Sequence, residues 1–243
     1  MEIGTEEASR LATLMEYDIL DSGAEEPFDR LVEIAADLFQ APIAAVSLVD
    51  GYRQWFKSRV GWTAQESPRK WAFCEHTIRG KDVFVIADAA KDRRFAGNPL
   101  VTKAPSIRFY AGAPLLTDTG HALGTICVMD RRARRRLTTR EKRMLQQLAA
   151  MVMEQIEIRR HVRAAKTNVQ RAMRLAGAKS PAHAECQKAL QSLRAVQAIA
   201  PRAERKHARL ITPSQAAPRR RGRANGTSAP HRAERRRRVA APV

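Results

Sequence analysis

The sequence predicts an α+β fold: a central antiparallel sheet with helices packed on one face, followed by a long C-terminal helix and a disordered basic tail. Three observations carry that reading. Apolar residues recur at three- and four-residue spacing before residue 40 and again after 138, while strand-like runs fill the stretch between 42 and 130. All the aromatics (7 Phe, 3 Tyr and 3 Trp) lie between Tyr17 and Tyr110, so the side chains able to build a large core belong to the first half. Charge divides the chain near residue 130. Residues 1–130 hold 14 Lys+Arg and 19 Asp+Glu, a net of −5, and the rest of the 44 and 25 leaves 30 and 6, a net of +24.

The first helix is expected over about residues 6–20, with Leu11, Leu14, Met15 and Ile19 on one face, and the turn formers Asp21, Ser22 and Gly23 stop it. A second helix follows, with Pro27 in its first turn and Phe28, Leu31, Val32, Ala35, Leu38 and Phe39 forming its apolar stripe; Pro42 ends it. PIAAVSLVD is nearly continuous in apolar residues and reads as a strand buried on both faces. After the Gly51-Tyr52 turn, RQWFKSRV alternates, which predicts an antiparallel hairpin with Phe56, Val60, Gln54 and Ser58 on one face and Arg53, Trp55, Lys57 and Arg59 on the other. WAFCEHTI is expected as a short helix or turn and VFVIAD as a short strand. IRFYAGAPLL and ALGTICVMD form two further strands joined by the turn around Asp118 and Gly120.

Thr138 and Glu141 have the spacing of a capping box, and the helix they start carries Met144, Leu148, Met151, Gln155, Ile158, Val162, Ala165, Val169 and Ala172 at alternating four-three spacing. The first two turns suit packing on the sheet, and the rest suits a dimeric coiled coil. Ser180-Pro181 opens another helix over 180–200, with Leu190, Leu193, Val196 and Ile199 as a weak stripe. Residues 201–243, with 13 Lys+Arg, 2 Asp+Glu and no aromatic, lack the apolar area to offset the entropy of ordering and are expected to be disordered.

Several of these stretches, in this order, resemble the short bacterial GAF domains found alone or ahead of sensor histidine kinases and diguanylate cyclases. The resemblance covers roughly residues 8–160 and rests on RLATLMEYDILDSGAEEPFDRL, PIAAVSLVDGYRQWFKS, FCEHTI, DRRFAGNPLV with IRFYAGAPL, and GTICVMD. It implies a GAF-like sheet with the terminal helices on one face and a ligand-sized pocket under loops on the other. It also implies a sensing role, with a ligand of unknown identity. The organisation that follows is a GAF sensor domain over 1–160, an output helix over 138–177, a short helix over 180–200 and the tail over 201–243.

Function is then expected to be that of a small-molecule- or redox-responsive regulatory module, homodimeric through the long helix and acting on a separate output partner such as a kinase or cyclase. No catalytic signature is found, so the chain is expected not to be an enzyme and no cofactor is assigned. Two alternatives stand beside it: a nucleic-acid-associated protein using the tail for non-specific polyanion binding, and a free methionine sulfoxide reductase in which Cys74 or Cys127 turns over. No apolar run is long enough to span a membrane and the N-terminus does not resemble a secretory signal, so a cytoplasmic protein is expected. Cys74, Cys127 and Cys186 fit neither a disulfide framework nor a zinc site.

The candidate ligand-binding residues are Arg108, Tyr110, Asp88, Cys74 and His76. Arg108 and Tyr110 alternate with apolar neighbours and share a strand face. That face either lines the pocket and holds an anionic or hydrogen-bonding ligand, or pairs Arg108 with a carboxylate such as Asp50 or Asp88. Cys74, Glu75 and His76 in one turn raise thiolate or metal chemistry, with a structural turn as the simpler reading. Cys127 reads as a small buried hydrophobe beside Leu123, Thr125 and Met129. Trp55, Trp62 and Trp71 with nearby Arg and Lys read as core and rim packing. His161 lacks the acidic neighbour of a phosphoacceptor site.

Overall fold

The computed structural model describes residues 4–176 and 180–198, with side chains described to residue 194; the tail expected over 201–243 lies outside the described residues. Helix α1 spans Thr5–Glu16 and α2 spans Glu26–Leu38. α1 ends about a turn earlier than its apolar pattern suggested, because Asp18 takes a left-handed φ of 46° and turns the chain, yet Ile19 beyond it is fully buried. α2 buries Phe28, Leu31, Val32 and Ala35 of its predicted stripe, with Ala36 beside them and Phe39 at its C-terminal cap, whereas Leu38, also expected on that stripe, is 44% exposed.

Six strands form one antiparallel sheet: β1 (Ile43–Val49), β2 (Arg53–Val60), β3 (Glu66–Pro68), β4 (Phe84–Ile86), β5 (Phe109–Leu116) and β6 (Ala122–Asp130), ordered β3-β2-β1-β6-β5-β4. The apolar strands β1 and β6 occupy the centre, where both faces are covered and every residue of each is buried. α1, α2 and the long helix α5 (Thr139–Ala176) cover one face. The short helices α3 (Cys74–Thr77) and α4 (Pro99–Thr102), with their loops, cover the other.

Two β-bulges change which side chains share a face. In β2, Val46 pairs with Ser58 but Ser47 pairs with Phe56, so Lys57 is the extra residue. The expected grouping of Phe56 with Val60 is therefore corrected: Phe56 packs on the loop face and Val60 on the helix face. Lys57 is driven under α2, where its ammonium group donates to Ser22 Oγ at 2.9 Å, the Gly23 carbonyl at 2.7 Å and Glu25 Oε1 at 2.6 Å. In β6, Leu115 pairs with Gly124 and Leu116 with Ala122, leaving Leu123 as the extra residue. Leu123 accordingly faces the helices, away from Thr125 and Cys127, with which the simple alternation had grouped it.

The capping box at the start of α5 forms as expected: the Glu141 amide donates to Thr138 Oγ1 at 3.2 Å and the Thr138 amide to Glu141 Oε2 at 2.7 Å. The face that α5 turns to the sheet consists of Leu145, Leu148, Ala149, Val152, Met153, Ile156 and Arg159. Of the expected seam only Leu148 is buried within this stretch; Met151 and Ile158 are 45% and 50% exposed. Helix α6 (Pro181–Ala198) packs against α5, and its half-buried His183, Cys186, Leu190 and Leu193 lie on one stripe.

Candidate functional site

The five candidate residues fall in four settings, and only Tyr110 and Cys74 share one. Tyr110 and Cys74 meet under the loop face in a fully buried polar cluster. Tyr110 points from β5 past Gly112, where a methyl group would sit 2.2 Å from the tyrosine oxygen, so the glycine makes room for the ring. The Tyr110 hydroxyl bonds Thr77 Oγ1 at 2.8 Å and donates to Cys74 Sγ at 3.4 Å. Two more hydroxyls reach the same sulfur from the central strands, Ser47 Oγ at 3.3 Å and Thr125 Oγ1 at 3.1 Å, and these two residues are register partners across β1 and β6. Cys127, two residues further along β6, belongs to the same buried cluster as Cys74.

Burial alone pushes the Cys74 thiol up, but hydrogen bonds from Cys127, Ser47, Thr125 and Tyr110 outweigh it and bring the thiol down to about 6. The hydrogen bond that Cys127 donates to Cys74, together with burial, pushes Cys127 well above the ordinary thiol range. Burial and the adjacent Cys74 push Tyr110 up in the same way. The sulfur that attracts donors is therefore Cys74, and its neighbours stay protonated to supply them.

His76 and Glu75 do not join this cluster. Glu75 turns outward to Arg69 and Arg79, and the His76 ring packs edge-on against Phe95 with centroids 4.7 Å apart. Burial, with Arg79 and Arg94 nearby, lowers the His76 pKa. One helical turn thus sends its thiol, carboxylate and imidazole in three directions, and among the described residues no three Cys, His, Asp or Glu side chains gather as a metal site. Arg108 lies just before β5 and donates to the Val101 and Ile107 carbonyls at 2.9 and 3.1 Å. Asp88 accepts from the Ala90 amide and pairs with Lys91, while Asp50 pairs with Arg53.

The ligand-sized pocket expected under the loops is filled in this structure. Phe73 stacks on Phe95 at 4.8 Å and on Tyr110 at 5.3 Å, leaving a cavity of about 10 Å³ lined by Gln54, Phe56, Trp62, Ser67, Phe73, Cys74, Leu100, Tyr110 and Met129. Wider clefts of about 430 and 730 Å³ lie at the sheet end near α1 and share Glu7, Arg69, Glu75 and Arg79. Of the five candidates only His76 lines one of them. Sequence reasoning missed Ser47 and Thr125. The available signal was that each is a lone hydroxyl in an otherwise apolar strand core.

A family profile described as GAF domain matches residues 24–156, more than half of the 243 residues. The chain belongs to the GAF domain family. This GAF domain is also 44% identical over 151 residues to a protein named cyclic di-GMP phosphodiesterase PA2567, from Pseudomonas aeruginosa; the match takes in 62% of this chain and 26% of that protein, so the chain spans about a quarter of its relative's length. Two solved structures are similar at lower scores. The GAF domain of an Acinetobacter phosphoenolpyruvate-protein phosphotransferase is 16% identical with a TM-score of 0.46, covering 67% of this chain and 97% of that one. The free methionine-R-sulfoxide reductase of Neisseria meningitidis is 13% identical with a TM-score of 0.47, covering 66% and 96%.

The comparison with the Pseudomonas protein corrects one expectation. The chain was expected not to be an enzyme because its sequence carries no catalytic signature, yet it shares its folded half with a protein named for hydrolysis of cyclic di-GMP. The matched segment is about a quarter of that protein, and a fold shared over such a segment does not by itself locate catalytic residues. Among the described residues no helix is long and apolar enough to cross a membrane.

Proposed function

We propose that this GAF domain is the regulatory input of a cytoplasmic cyclic di-GMP phosphodiesterase system. In this reading a small molecule or a redox change at the loop face alters α5, and α5 carries the change to the hydrolytic machinery of that system. The observation that carries the reading is the 44% identity over 151 residues to the Pseudomonas phosphodiesterase. The shape of α5 supports the route: the helix is 38 residues long, its last buried residue is Arg159, and so nearly half of it runs on past the sheet. A long helix with one end anchored on a sensory core and the other presented to a partner is an element whose arrangement an input can bias.

The test is an exchange in which residues 1–176 of this chain replace the matching segment of the Pseudomonas protein, with cyclic di-GMP hydrolysis measured. Hydrolysis is expected to persist and to change in rate when Met151 and Ile158, the exposed apolar residues of α5, are replaced by Glu. A folded chimera whose rate ignores those substitutions would remove α5 as the route.

A further inference from the structure

We propose that the cavity beside Cys74 is a reaction site for hydrogen peroxide, in which Cys74 is the nucleophile and Cys127 closes a disulfide with it. Four observations converge on this assignment. The cavity of about 10 Å³ is just large enough for one water, so a peroxide, with its second oxygen, enters only as the lining side chains shift outward, and larger molecules are kept out. Two of its lining groups, Ser67 Oγ and Trp62 Nε1, are buried polar atoms with no partner, and Ser67 is itself only 9% exposed. Such groups cost stability unless something polar meets them, and a peroxide, which both donates and accepts, satisfies a hydroxyl and an indole N–H together. Third, the cavity wall includes Cys74, whose sulfur accepts from Ser47, Thr125 and Tyr110, an arrangement that stabilises negative charge on sulfur. Fourth, Cys127 lies two residues along β6 from Thr125, whose hydroxyl is 3.1 Å from that sulfur, and belongs to the same buried cluster as Cys74.

The chemistry balances with peroxide as the oxidant. Cys74 Sγ attacks one peroxide oxygen, so an S–O bond forms as the O–O bond breaks, and the departing hydroxide takes up the Cys74 proton and leaves as water. Cys127 Sγ then attacks the Cys74 sulfenic acid. An S–S bond forms as the S–O bond breaks, and the released hydroxyl leaves as a second water with the Cys127 proton. Two thiols lose two electrons and two protons, and one peroxide becomes two waters. The new bond would tie α3 to β6, the central strand that leads through residues 131–138 into α5.

The regulatory meaning of this chemistry rests on the proposed function, while the chemistry itself is read on the chain alone, so the two can fail separately. The experiment treats the folded full-length chain with substoichiometric hydrogen peroxide, quenches with an alkylating agent, and maps the cysteines by mass spectrometry without reduction. Cys186 serves as the internal reference, because it is more exposed than the other two and would react first if exposure alone governed the rate. The expected result is a Cys74–Cys127 disulfide formed ahead of any change at Cys186. Cys127→Ser should stop at a Cys74 sulfenic acid that a dione reagent traps, and Ser67→Ala should slow Cys74 oxidation by about tenfold. Oxidation of Cys186 before Cys74 overturns the proposal, as does a Cys74 that reacts only after denaturation. Because both readouts are made on wild-type protein, a Cys127→Ser variant that fails to fold leaves the proposal testable.

Discussion

At the scale of single residues, Glu7 shows how a surface clip is built. Its carboxylate accepts from Arg10 Nε and Nη2, both at 2.8 Å, and from Arg69 Nη1 at 2.6 Å, and so fastens α1 to the loop before α3. The hydrogen bond from Arg10 outweighs burial and, with Arg69, lowers the Glu7 pKa from 4.5 to about 2. A carboxylate depressed in the folded state contributes stability above its unfolded pKa and loses it as pH falls through the folded value. Stability should therefore decline between about pH 4.5 and 2 on account of this group, and Glu7→Gln should flatten that part of the curve. Urea midpoints measured across that range check it; an unchanged slope in the variant would assign the acid limb to other carboxylates. Gly124 is a sharper case. A methyl group there would lie 1.9 Å from the Ser47 carbonyl oxygen and 2.8 Å from Leu48 Cα, which are backbone atoms and cannot turn aside. Gly124→Ala should cost about 3 kcal/mol or more by prying β1 from β6, and its denaturant midpoint should fall accordingly.

At the scale of elements, α5 and the bulged strands show what the sequence made legible. Most of the helical stripe of α2, the β1–β2 hairpin and the capping box at Thr138 were readable, because each is fixed by local spacing. The faces of β2 and β6 were not. A bulge shifts the two-residue alternation by one position, and neither Lys57 nor Leu123 announces itself as the extra residue. Strand β3 and helix α4 were missed too, since three and four residues carry no periodicity. The contact of Cys74 with Ser47 and Thr125 was invisible for another reason: it depends on α3 docking over β1 and β6, which brings together residues far apart in sequence. In α5 the apolar positions proved to be two stripes, one spent on the sheet and one that leaves Met151 and Ile158 exposed seven residues apart. A second copy of the chain is the proposed occupant of that free stripe, in competition with α6 further along. The Ile158→Glu, Val162→Glu double variant should keep the thermal transition of the sheet domain and lose micromolar self-association. Analytical ultracentrifugation decides between this and a helix that serves its own sheet alone, which would give a monomeric wild type.

At the scale of the molecule, three elements distant in sequence meet at one carboxylate. Glu25, at the start of α2, accepts from Lys57 of β2 at 2.6 Å and from Arg159 of α5 at 2.8 Å, and Arg159 also donates to the Asp18 carbonyl at 2.8 Å. Burial opposes the charged form of Glu25, but hydrogen bonds from Lys57 and Arg159 lower its pKa on balance; burial of Lys57 lowers the pKa of the ammonium group despite its pairing with Glu25. The network therefore holds its charges against desolvation only while every partner is present. Arg159 is also the last buried residue of α5, so it marks where the helix leaves the core. Removing it should act at a distance. Arg159→Ala is expected to destabilise the fold by about 1–3 kcal/mol, because Glu25 loses a charged donor and the Asp18 carbonyl the nearer of its two, keeping only Arg163 at 3.4 Å. It should also raise hydrogen exchange along α5 from Ile156 toward the C-terminus while leaving β1 and β6 protected. Uniform loss of protection through sheet and helix together would mean that α5 and the sheet unfold as one unit, and that the helix has no separate arrangement through which an input could reach a partner.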